Sequence, residues 1–478
     1  MMSHRGFRLN CVFSVLALSC AVSLARQCHA QSISWAGGTN GNWNVPANWN
    51  PAVVPGSVAL DDDVIIAGSP NITMSVSEPH SINSISLTGV LTINAGVTLS
   101  TTNATIQSTA QFNGSGTFSV SGAMTTDSST STTVNVALNV QTGATVTVNS
   151  GALDLQTGLN NGTIIATAAG TKVNVLSGRT YNNGTGAFTG NVDVSGTLQF
   201  NSPVSIAPDI TVEIGGSLSG SSLVTFTGGS LTMLSGTIST PLQFNGGAGL
   251  SMSGNPTFNS TVTANGTNTL SGIATLTINT GATLTFGGTT SVNANNGVMA
   301  ITGPGNFSNT GTMTNINNSI DITCTGSNSG TMMNNVGNLS SINVKSTFTN
   351  SGSIQTSNAS AALLIASTGN LIAAPGASFG GQVIDFNVFT VNTTLTFPGV
   401  LTLGTAPSFG TSNGSVAGSG SLILSGSMTV GGSSATMGSS IPITLLGTAS
   451  EPSPTRRLRS RTISSSTAHL RWRGLRRI

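Results

Sequence analysis

Three aspartates stand side by side at Asp61, Asp62 and Asp63, and three of the four tryptophans fall within seventeen residues upstream, in "SWAGGTNGNWNVPANWN", as Trp35, Trp43 and Trp49. Each group could do chemistry. Clustered carboxylates suit calcium, a hard cation that takes oxygen ligands. Exposed indole rings suit the stacking of sugars, because each combines a broad apolar face with one N–H donor. The simpler readings are that the aspartates cap turns or face water, and that the tryptophans cover apolar surface. Other chemistry-bearing residues are sparse. Acids elsewhere stand singly, and only Asp193, Asp209 and Glu213 lie close enough in sequence to meet within one structural cycle, as the two carboxyls of a glycoside hydrolase must. His80 is the one histidine between residues 31 and 450, too few for a Ser-His-Asp or Cys-His site. No glycine-rich phosphate loop with a lysine and no Cys/His metal spacing occurs. The expectation is a protein without catalytic residues and without a cofactor.

Charge points the same way. Residues 31–450 hold Lys172, Arg179 and Lys345 against eleven acids, a net −8. Such a chain has no basic face with which to neutralise phosphates, which excludes nucleic acid as a partner.

The elements that would position these residues are short strands. From about residue 82 runs such as "VLTINAGVTLS", "ATVTVNSGALDL" and "ATLTINTGATLTF" alternate apolar and small polar residues with period 2 and end at Gly, Asn or Ser. Helical periodicity is absent. Val146/Val148, Val173/Val175, Leu198/Phe200 and Val224/Phe226 recur at steps of 27, 25 and 26, the range of superhelical repeats. The predicted fold is all-β, a right-handed parallel β-helix (β-solenoid) with an N-terminal Trp-rich cap. One coil alone buries too little apolar surface to offset the entropy of ordering its residues, so coils must stack in series and be covered at the ends. Paired asparagines at 160–161, 182–183, 295–296, 317–318 and 334–335 are expected at turns needing positive φ, or stacked along the axis. Thr-x-Thr pairs, among them Thr261/Thr263 and Thr283/Thr285, could order water if ranked on one face. Their irregular spacing in sequence argues against such ranks.

Residues 1–30 read as a secretory signal peptide: a basic start, the apolar run "CVFSVLALSCAVSLA", then Cys28 and Ala30 at −3 and −1 of a cleavage site before Gln31. No later segment offers 18 consecutive apolar residues, so no transmembrane helix is expected in the mature chain. Cys324 would then be the only thiol left, a small buried hydrophobe. The remaining chain divides into a Trp-rich cap with the first strand (31–81), solenoid repeats (82–450) and a tail (451–478).

The segment "W-x-GG-x-x-GNW…ANW…VVPG…DDVII", carried by Trp35, Gly37, Gly38, Trp43, Asn48, Trp49, Pro55, Asp62, Asp63, Val64 and Ile65, resembles the mature N-terminus of large bacterial surface proteins with autotransporter-associated β-strand repeats. That resemblance implies an exported, autotransporter-like solenoid at the cell surface or outside the cell. The tail breaks the pattern, with eight arginines in "EPSPTRRLRSRTISSSTAHLRWRGLRRI". It reads as a polyanion- or membrane-binding segment, as a sorting signal of the Pro-Glu-Pro type without its apolar helix, or as an out-of-frame or truncated end; the abruptness of the break favours the last.

The resulting expectation is a secreted or cell-surface protein of adhesive or structural role, with surface glycans or matrix components as partners. The alternatives are a carbohydrate-binding module or a polysaccharide lyase or hydrolase built on a β-helix.

Overall fold

The computed structural model describes residues 31–57, 61–75, 80–107, 110–207, 209–335, 341–356, 362–365 and 369–380, and, as strand backbone, short stretches between 382 and 470. Residues 1–30, read above as a signal peptide, lie outside the described residues. So does the Arg-rich tail, apart from His469–Leu470, which pairs antiparallel with Ile443–Leu445.

Period-2 patterning becomes strand after strand. The described residues contain no α-helix, and their one helical turn is a 3-10 turn at Pro46–Asn48. Nearly every strand pairs in parallel with the strand one coil before and one coil after it, as in Thr197–Phe200 with Ser217–Ser219 and that strand with Thr237–Ser239. The chain is therefore a parallel β-solenoid. Inward positions are buried aliphatics and phenylalanines, and outward positions are small polar residues, so each strand reads as an alternation of buried and part-exposed residues.

Coil length varies, with 18 residues between Val224 and Leu242 and 27 between Leu401 and Met428, and the pairs used for the sequence spacing are not successive coils of one column. Leu198 pairs with Leu218 and Val224 with Leu242, steps of 20 and 18 residues rather than 25–27. The four sequence pairs come from different positions around the coil: Val224–Phe226 belongs to a separate 12-stranded sheet, to which Leu198 does not. Period-2 apolar pairs occur several times per coil, so their spacing alone cannot separate one coil from the next.

The chain forms two compact units, Met1–Asn174 with Arg179–Gly190, and Val175–Gly178 with Asn191–Ile478. In the first, parallel stacking begins at the start of the described chain. Strand His80–Leu87 pairs with Asp63–Ile66 before it and with Thr98–Gln107 after it, so the boundary drawn at 81/82 falls inside a strand. Phe112 stacks on Phe118 with ring centroids 4.4 Å apart. The lone Tyr181 is fully buried, with its hydroxyl donating to the Leu138 carbonyl.

In the second unit the 12-stranded sheet runs in sequence order from Val204–Ile206 to Thr436–Met437. Its inward column includes the stacked pair Phe226 and Phe244, 4.5 Å apart and nearly coplanar. Three coils on from Phe244, through Ala264 and Phe286, the same inward column turns polar. Asn309 Nδ2 donates to Asn328 Oδ1 at 2.7 Å and Asn328 Nδ2 to Asn350 Oδ1 at 2.7 Å, with all three residues fully buried. Each of these Asn side chains also donates to the carbonyl of the Gly two residues on, so the motif N-[ST]-G-[ST] satisfies its buried amide donors, while Asn309 Oδ1 at the head of the column has no partner among the described residues. Asn160 and Asn183 make the same inward bond in the first unit. These asparagines thus stack inward and do not supply positive φ: among the described residues the one non-glycine residue with φ in that region is Ser235. The glycines of the motif are required for closeness. A Cβ on Gly311, Gly330 or Gly352 would sit 2.0–2.1 Å from the carbonyl oxygen of the glycine one coil earlier.

Candidate functional site

The tryptophan segment is the densest constellation in the chain. Strand Ser32–Trp35 lies between two neighbours: Trp49–Asn50, antiparallel, with Trp35 opposite Trp49, and Asp63–Ile66, parallel. Strand Asn40–Asn42 continues the parallel stacking onto Asn71–Met74. This arrangement brings the three indoles together. Trp35 and Trp49 meet edge to face at 5.0 Å, and Trp43 and Trp49 at 4.8 Å, the geometry aromatic quadrupoles prefer.

Each indole N–H is bonded to a backbone carbonyl: Trp35 to Gly38, Trp43 to Pro55, and Trp49 to Trp43 at 2.7 Å. The glycines divide by role. A Cβ on Gly37 or Gly41 would meet the Trp35 ring at 2.6 or 2.7 Å, whereas one on Gly38 would meet nothing within 4 Å. Gly37 and Gly41 therefore form the slot that holds Trp35. Asn48 closes the loop: its carbonyl accepts from the N–H groups of Ala36 and Gly37, and its Nδ2 donates to the Asn42 carbonyl. Gly56 has φ +74°, where a side chain would strain the backbone, and its N–H donates to Asp62 Oδ2 at 2.9 Å. His80, also buried, accepts from Asn44 Nδ2 through Nε2 and lies 6.3 Å from Trp43.

No protein-family model, curated protein or solved structure matches this chain. What the site can do follows from its own geometry.

Burial divides the tryptophans. Trp43 is 0% and Trp49 2% exposed, so neither ring offers a face to a sugar; Trp35 alone keeps part of its surface open. The glycan-stacking candidates Trp35, Trp43 and Trp49 thus reduce to the first. The aspartates also divide. Asp62 is buried and bonded to Gly56. Asp63 Oδ1 accepts from Asn83 Nδ2 and Ser84 Oγ at 2.8 and 2.6 Å. Only Asp61 has no role in this network. The carboxylates that would have to turn toward a calcium ion are committed to the fold instead, and among the described residues no group of three or more His, Cys, Asp or Glu is placed to hold a metal. Burial pushes the pKa of Asp62 above the ordinary carboxylate value; the Gly56 N–H opposes that, and the charges of Asp61 and Asp63 add to it.

The register does bring Asp193 near its sequence neighbours. Asp193 stands opposite Thr211 on the next coil, which puts Asp209 and Glu213 two residues to either side on the same outward face. Asp209 is held by the N–H and hydroxyl of Ser230. Asp321 bonds Asn343 and Lys345 across one coil step. Cys324 is buried, and burial pushes its thiol up to about 11 against the backbone N–H groups of Cys324 and Phe307.

Sequence reasoning identified the tryptophans, the aspartates and Asn48 but missed Asn44 and Gly56 among the groups that lock them. Gly56 could have been found: a Pro-Gly pair six residues before a buried acid is a turn whose N–H needs an acceptor.

Proposed function

We propose that this is an exported, non-enzymatic β-solenoid of the cell surface or extracellular matrix, whose role is adhesive or structural and whose partners are surface glycans or matrix components. The observation that carries this reading is the use made of polar groups. The three indoles and the carboxylates of Asp62, Asp63 and Asp209 are bonded to the backbone or to side chains of the fold, and the outward strand positions are mainly neutral hydroxyls and amides, with Asp193, Asp209 and Glu213 as a charged exception. That chemistry favours a durable scaffold presenting an extended surface. The resemblance of the tryptophan segment to the start of autotransporter-type surface proteins supports export, as does the apolar run within residues 1–30. In this reading the tryptophan cluster caps the first coil. An open end would expose the cross-section of the core and a row of unpaired backbone groups; the antiparallel pairing of Trp49–Asn50 with the first described strand and the burial of Trp43 and Trp49 support the reading that this segment supplies the cover.

The test is location and attachment in the source cell. Surface shaving of intact cells with a protease should release fragments of residues 31–450, and a deletion strain should lose attachment to surfaces or matrix while keeping growth on soluble nutrients. Recovery of the chain only from the cytoplasm of intact cells would end the proposal.

A further inference from the structure

The 12-stranded sheet of the second unit has an outward face that the surface role leaves unexplained. Along one column Thr263 stands opposite Thr285, Thr285 opposite Ser308, Ser308 opposite Ser327, and Ser327 opposite Thr349. Two residues upstream on the same strands a second column runs from Thr283 to Asn306 and Thr325, and Thr347 and Asn370 pair further along it. The steps between strands vary from 19 to 23 residues, yet the side chains come into rank because the loops absorb the difference. The irregular Thr-x-Thr spacing in sequence is therefore no guide to the spacing in space, and the objection it raised to a ranked face falls.

Parallel pairing sets successive ranks about 4.8 Å apart, and alternate residues on one strand about 6.6 Å apart. The face is thus a two-dimensional lattice of hydroxyls and amides, groups that both donate and accept, with the Ser327 hydroxyl donating to that of Ser308 along one column. None of the residues named is charged. The ladder beneath is fixed before any partner arrives, so binding orders little of the protein. The aromatic residues of these strands, Phe286, Phe307 and Phe348, are buried on the inner side, so a sugar ring finds no stacking platform here. A partner with an irregular surface would match one or two ranks, whereas a crystal of hydrogen-bonding oxygens can match all of them.

We propose that this ranked Thr/Ser/Asn face of the 12-stranded sheet binds the surface of ice. The threonine hydroxyls take the place of lattice water, and their methyl groups fill the gaps between.

The experiment uses the full secreted chain, with thermal hysteresis and inhibition of ice recrystallisation as readouts. Thr285→Tyr and, at a separate rank, Thr349→Tyr place a bulky ring on the lattice; Ile214→Tyr places the same ring at an exposed turn of the same unit, off every strand. Far-ultraviolet circular dichroism establishes that each variant is folded. Wild type and Ile214→Tyr should shape and slow ice growth equally, and Thr285→Tyr and Thr349→Tyr should show a several-fold loss. Absence of ice activity in folded wild type would overturn the inference. So would equal loss in all three variants, or retention by insoluble cellulose or chitin with no effect on ice, which would assign the face to a glycan.

Discussion

Replacing Trp43 by alanine separates a structural tryptophan cluster from a sugar platform. Trp43 is fully buried between Trp49 and His80. An indole covers about 150–250 Å², which at about 25 cal/mol per Å² is worth roughly 4–6 kcal/mol; large-to-small aromatic replacements in cores cost about 3–5 kcal/mol. Loss of the N–H bond to the Pro55 carbonyl adds about 1 kcal/mol, although the freed carbonyl can find water once the ring is gone. The expected penalty is about 4 kcal/mol, confined to the first unit. Trp35→Ala, at a partly open ring, should cost about half as much. The assay is urea unfolding followed by circular dichroism, with native-state hydrogen exchange at Ile33, Val64 and Ile85 to locate the loss. A Trp43→Ala protein with wild-type stability and a selective loss of sugar binding would refute the packing argument. Sugar binding lost only in folded Trp35→Ala would restrict any glycan role to that one exposed edge.

Three further outcomes follow from the geometry. Asn328→Ala breaks both links of the buried amide column and orphans Asn350 Oδ1, so it should destabilise the second unit by about 3 kcal/mol or more, while Asn259→Ala, in the exposed ladder of Ser239, Asn259 and Asn279, should cost under about 0.5 kcal/mol; chemical denaturation compares them. Because the folded pKa of Asp62 is raised, the native state holds its proton more tightly than the unfolded chain, and stability should fall as pH rises from about 4 through that folded value; Asp62→Asn, which keeps an acceptor for Gly56, should abolish that part of the fall in urea midpoints measured across pH. Cys324 should resist a maleimide at neutral pH in protein lacking residues 1–30 and react once the chain is unfolded, followed by mass spectrometry.

The alternation of apolar and polar residues declared strands, and the lack of helical periodicity with so many Gly-bounded runs declared a parallel stack. The tryptophan segment was legible because large side chains in glycine-rich sequence need slots, and Gly37 and Gly41 provide one. Coil length was not legible. Apolar pairs at several positions around one coil look alike in one dimension, so the pairing of Val224 with Leu242 had to come from the structure. For asparagine the sequence left two roles open, turn and axial stack, and the structure shows the stack. The residue's preference for left-handed turns is a local property, whereas Asn309, Asn328 and Asn350 are placed by a contact between residues 19 and 22 apart. Burial separates residues that the sequence cannot: nothing local distinguishes Trp43, which is enclosed, from Trp35, which is partly open.

Within the second unit each coil is bonded only to the coil before it and the coil after it, and glycine columns such as Gly311, Gly330 and Gly352 let one backbone rest directly on the next. A gene encoding such a unit can gain or lose one whole turn by unequal recombination without disturbing the turns on either side, provided the glycine and the inward residues come with it. Reach then becomes a heritable trait adjustable in increments of about 4.8 Å, and lineages could tune how far their product extends while leaving its chemistry untouched.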